Sequence, residues 1–230
     1  MNKRLQRVGI VLVVMGFVFF AAGGYTLYKT QQGSTALQAF SVAQNVKLTY
    51  NEAGQLTSGG TTEDADKIMG LLTNDWGYSV DKSELNPNDP LVNTASEYMF
   101  QMATISYHTL HGATTVTFPE DVIKDGAVIQ KAGTYDFQND GKYWTGFDRS
   151  NPIEGAAREK IWTGTALALI GQLGVGSVTA STLQIGLGVA SIMAALGGVL
   201  VLFGLGLVWA ASAATEKVKA PVLRPSTTTT

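Results

Sequence analysis

Residues 8–28, VGIVLVVMGFVFFAAGGYTLY, decide how this chain is read. No charge interrupts them, and about twenty apolar residues rising 1.5 Å each cross a hydrocarbon layer of about 30 Å. Lys3, Arg4 and Arg7 stand before the run. Tyr25 and Tyr28 close it, where amphipathic rings favour the membrane interface. A second uncharged run fills 183–214, with Trp209 near its far end and Lys217, Lys219 and Arg224 beyond. Lys and Arg flanks of this kind stay in the cytoplasm. The expectation is a plasma-membrane protein with two spans, at 8–28 and 181–212. Residues 1–7 and a disordered tail, 213–230, lie inside, and an extracytoplasmic domain, 29–180, stands between the spans. A cleaved leader is the rival reading of the first run, with small residues at 21–24; the length of the apolar run favours a retained anchor.

Small residues recur in both runs. Gly9, Gly16 and Gly23 are seven apart, which places them along one seam of a left-handed pair. Gly186, Ala190, Ala194 and Gly198 are four apart, a small-xxx-small ridge that admits a close neighbour. These positions are read as helix-packing residues, within one chain or between copies. Neither span carries an ionisable side chain, so the two helices offer no proton relay or ion path of their own.

The remaining stretch is enough for one hydrophobic core. Residues 30–184 hold 17 acidic and nine basic side chains, a net of −8 against −2 for all 230 residues. That balance argues against a nucleic-acid partner. The chain has no cysteine, which excludes disulfides, thiolate metal sites and cysteine nucleophiles. Within the domain, Asn45 to Tyr50 alternates and reads as a strand. Thr61-Thr62-Glu63-Asp64 opens a helix with a stripe at Ile68, Met69, Leu71 and Leu72, closed by Trp76-Gly77-Tyr78. Asp89-Pro90 reads as the start of a central helix ending at Gly112. TTVTF, the hairpin around Asp125-Gly126, and GTYDF read as small strands. Asn151-Pro152 starts a third helix running to Ile170. GVGS at 174–177 reads as a break before the second span, and Ser181-Thr-Leu-Gln184 has capping-box spacing. The fold class is an α+β domain between two transmembrane helices, its own helices packed on a small antiparallel sheet.

The central helix ends in the chain's two histidines, His108 and His111, three residues apart. That spacing can place both on one face to hold a single iron or zinc. A third ligand would have to be a carboxylate, and His-Glu-x-x-His is absent. The competing reading is that His111 meets the orphan carbonyls of the last turn and His108 is a polar edge. Asn139-Asp140-Gly141 looks like part of a calcium loop but lacks the rest of it. No G-x-S-x-G and no P-loop occurs. Tyr143, Trp144 and Phe147, with Asp140 and Asp148 nearby, form a candidate carbohydrate- or partner-binding surface; the alternative is a small core.

AQNVKLTYNEAGQL, LLTNDWGY, DPLVNTASEYMFQMATISYHTLHG and the AGTYDF…GKYWTGFDRSNP…GAARE run resemble a family of actinobacterial membrane proteins of unknown role. The similarity covers nearly the whole chain. Its members are often catalogued as aromatic ring-opening dioxygenases of the small-subunit type. The resemblance implies an N-terminal span, an outer domain and a C-terminal span. The dioxygenase label implies a non-haem iron held by two histidines and a carboxylate, for which His108 and His111 are the candidates.

The sequence therefore points first to a non-catalytic accessory, scaffold or binding subunit of the cell envelope. Its partners are the lipid bilayer and either a membrane or envelope protein or further copies of itself. The alternative is a membrane-tethered iron or zinc enzyme, ring-opening dioxygenase-like, using His108 and His111. A third reading is a sensor or ligand-binding module built on the aromatic group.

Overall fold

The computed structural model describes residues 2–219. Arg224 and the threonines at 227–230 lie outside them, as do the side chains of Lys217 and Lys219. In chain order the elements are α1 (Asn2–Gln44), β1 (Thr49–Tyr50), β2 (Leu56–Thr57), α2 (Thr62–Gly70), α3 (Ala95–Leu110), β3 (Ala113–Phe118), β4 (Val122–Lys124), β5 (Ala127–Gln130), β6 (Gly133–Gln138), α4 (Pro152–Ile161) and α5 (Gly164–Lys219). The fold is mixed α+β, with two long apolar helices and three two-stranded antiparallel sheets, β1-β2, β3-β6 and β4-β5. It divides into two compact units, residues 1–35 with 182–230 and residues 36–181.

The first unit is an antiparallel helix pair. Gly9, Gly16 and Gly23 all face the second helix. A Cβ built on Gly9 would lie 2.6 Å from the Gly204 carbonyl oxygen, one on Gly16 2.8 Å from that of Gly197, and one on Gly23 3.2 Å from that of Ala190. Thr30, seven residues on, is buried and faces Gly186. Backbones this close gain dispersion contacts that larger residues would block.

On α5 the expected ridge needs correcting. Gly186 and Ala190 lie in the interface, Ala194 meets it through its backbone N, 3.4 Å from a Cβ on Gly23, with its side chain exposed, and Gly198 is at its margin, 3.8 Å from Phe20. In the part of α5 that belongs to this unit, the buried positions among the described residues are Ala190, Gly197, Gly204 and Ala211, seven apart. The reason is helical phase. A four-residue step overshoots a full turn by about 40°, whereas a seven-residue step drifts by only about 20°, and supercoiling absorbs it. The outward positions are apolar: Val11, Phe17 and Val18 on α1, and Ile192, Leu202 and Trp209 on α5, are all half exposed or more. Both helices are long and apolar enough to cross a membrane.

Both also run well past a bilayer's needs; 43 and 56 residues correspond to about 65 and 84 Å. The expected break at 174–177 is absent, and Ser181 to Gln184 sit in mid-helix. The start of α5 is instead Thr163, whose hydroxyl accepts from Ala166 N at 3.1 Å. The expected helix from 151 to 170 stops at Ile161, where the Trp162 backbone leaves helical geometry at ψ 69°, and the Trp162 indole donates to the Lys142 carbonyl. Helical glycines in α5 are tolerated where a neighbour covers them. Gly176 is the clearest case, since a Cβ there would stand 2.6 Å from the Tyr98 ring.

The second unit is built around α3. Its start is not Pro90 but Ala95. Residues 90–92 are extended and pair with 46–48, with Leu48 N donating to Pro90 O and Val92 N to Val46 O. Helix initiation falls to Thr94 and Glu97, a reciprocal capping box. The main core gathers Leu48, Ile68, Leu72, Val92, Tyr98, Phe100, Ala103 and Leu173. A smaller one holds Leu71, Leu110, Phe147 and Trp162. Leu173, just before the expected break, belongs to the first part of α5, which thus packs within this unit. After Gly70 the helix widens into a π turn, Leu71–Asp75, closed by Trp76 N on Leu71 O. Asp125 and Gly126 both take positive φ, as a tight type I′ hairpin requires.

Candidate functional site

His108 and His111 end α3 but do different things. His111 is the C-cap residue. Its Nδ1 lies 2.9 Å from the Tyr107 carbonyl oxygen, and its ring lies on that of Tyr107, centroids 4.2 Å apart. This is the helix-finishing role expected of a donor in the last turn. His108 meets the same tyrosine edge-on at 5.9 Å. It lines a cavity of about 440 Å³ together with Ile105, Thr109, Thr114, Lys160 and Ile161, and His111 does not. Among the described residues, no group of three or more His, Asp or Glu side chains stands together as a metal-holding set.

The turn after β6 supplies the rest of the α3 terminus. Asn139 is fully buried; its Nδ2 donates to the Thr109 carbonyl, and its backbone N–H donates to Gly112 O. Gly141 N donates to Leu110 O. Asp140 and Gly141, both at positive φ, bend the chain into this position. The segment that looked like part of a calcium loop is thus a latch on orphan helix carbonyls. The sequence signal was the Asn-Asp-Gly turn itself; its partner was not visible.

The three aromatics Tyr143, Trp144 and Phe147 do not share one open face. Phe147 is 6% exposed and sits in the smaller core, 5.9 Å from the Phe137 ring. Trp144 is half-buried and covered by the Arg158 guanidinium at 3.9 Å. Tyr143 alone is well exposed, stacking on Trp162 and accepting from the Trp76 indole at 2.8 Å. Beside them Lys142 pairs with Glu154 and lies over Phe137 and Phe147. The Lys142 hydrogen bond holds the Glu154 carboxyl below its ordinary range, with help from Asp148 N–H.

A cleft that sequence reasoning missed lies between the β1-β2 hairpin, the π turn and the loop after it. Its volume is about 640 Å³, within the usual span of small-molecule sites. Tyr50, Leu56, Met69, Tyr78 and Leu85 make its apolar walls; Thr73 and Lys82 add polar groups. Local widening of a helix by a π turn often marks such a place. The Tyr50 hydroxyl is buried without a hydrogen-bond partner. Burial, then the nearby Glu97 charge, pushes that phenol upward. Glu97 is itself only 1% exposed and accepts from Asn93 N, Thr94 N and Thr94 Oγ1. Desolvation nevertheless raises its carboxyl.

No family model, curated protein or solved structure matches the chain.

Proposed function

We propose that this is a two-span protein of the cell envelope, with both termini in the cytoplasm and residues 36–181 outside as a non-catalytic binding module. The observation that carries the reading is the glycine-lined helix pair, close-packed inside and apolar all round outside. Such a pair is stable in lipid and would aggregate in water. The absence of charge inside the spans favours anchoring over transport. The cleft beneath Tyr50 and Tyr78 gives the module a place to hold a small amphipathic molecule. A protein partner or a second copy would add to this role rather than replace it.

The chain's lack of cysteine makes the topology directly testable. Glu120→Cys and Asn2→Cys introduce one thiol each, in the second unit and at the N-terminus. In intact cells a membrane-impermeant maleimide is expected to label the first and to reach the second only after permeabilisation. Equal labelling of both in intact cells, or of neither, would overturn the arrangement.

A further inference from the structure

We infer that the cavity at the end of α3 binds a small oxyanion, a phosphate or carboxylate group held between His108 and Lys160. This is independent of the membrane topology and of the cleft beneath Tyr50. Every ionisable side chain lining the cavity is basic, although the domain around it is strongly acidic. The acids of α4 are engaged elsewhere: Glu154 pairs with Lys142, and Glu159 pairs with Arg158. Lys160, an exposed side chain that lines the cavity, donates to the Thr115 carbonyl at 2.8 Å. An ammonium has three donors, so two are left to offer. His108 lies in the last turn of α3 and lines the same hollow, where a ring N–H can donate. An ammonium and an imidazole N–H lining one hollow suit a compact anion, the charge-assisted hydrogen bond coming from Lys160. Ile105 and Ile161 form its apolar wall.

His111 provides an internal reference, because its ring is bonded to Tyr107 O and lies outside the cavity. The experiment uses the full chain in detergent micelles with isotope-labelled histidine, so that only two ring signals appear; His108→Gln assigns them. Inorganic phosphate, and separately acetate, is titrated at constant ionic strength against chloride. The His108 signal is expected to move and saturate while His111 stays. Lys160→Gln is expected to raise the half-saturating concentration roughly tenfold, the loss of one hydrogen bond to a charged group, and Lys160→Arg to retain most of the binding. An unmoved His111 signal in these variants shows that the fold is kept. A response to phosphate alone assigns a phosphate group, and one to acetate alone a carboxylate. Parallel drift of both histidines, no saturation with either anion, or a wild-type titration in Lys160→Gln would overturn the site.

Discussion

Glu97 shows how one residue can serve local structure at an electrostatic cost. Its carboxylate closes the capping box of α3, yet it is almost wholly buried and has no ion-pair partner among the described residues, and its proton affinity is raised. A carboxyl raised in the folded state favours folding most when protonated. That contribution is full below the unfolded value of about 4.3 and is lost as pH rises through the folded value. Glu97→Gln keeps the acceptor and removes the charge. Its melting temperature is expected to fall less than the wild type's, or to rise, between about pH 4 and pH 7; parallel curves would refute the assignment. Asn139 carries the opposite kind of role, purely structural. Asn139→Ala strips the Thr109 carbonyl of its partner and is expected to cost about 1–3 kcal/mol in chemical denaturation. The His111 cap was readable from its place before Gly112. The latch on that terminus was not, because Asn139 is 28 residues further along the chain.

At the level of elements, the seam of the helix pair was half legible. The seven-residue repeat in α1 named its interface correctly. In α5 several small-residue spacings compete, and only a partner's position selects the seven-residue one. Gly16→Leu would drive a side chain into the Gly197 carbonyl and Val201. Overpacking of this kind costs about 1–3 kcal/mol or more. Gly24→Leu, at a position with open space around it, is the control. In micelles the first is expected to lower the thermal midpoint and the second to leave it unchanged; equal effects would mean that the two helices do not pack along this seam. The α3 start teaches a related lesson. Asp-Pro is a common helix opener, but the backbone of residues 90–92 is taken by pairing with 46–48, so the capping box at Thr94 sets the boundary.

On the scale of the whole molecule, the second unit is not closed by its own middle sequence. Tyr98 is 4% exposed because Gly176 of α5 lies against its ring and Ser41 of α1 meets its hydroxyl at 2.8 Å. Leu173 completes the main core. A fragment of residues 36–181 is therefore expected to fold cooperatively, with a fixed near-ultraviolet circular dichroism signal. One of residues 45–163, without the helical segments, is expected to lose that signal while keeping helix and strand content. Two fragments with equal near-ultraviolet signals would show that the segments are dispensable. Features written in local pattern were legible in the chain alone. Two uncharged runs require apolar surroundings, Asp125-Gly126 requires a tight turn, and paired glycines permit close helices. Tertiary structure decided where distant groups meet. It carried α1 and α5 unbroken into the second unit, turned His108 and His111 to different tasks, took Phe147 into a core and opened the cleft beside Tyr50. Those outcomes depend on packing between residues far apart in the chain, and no local propensity encodes which of several compatible neighbours a side chain will find.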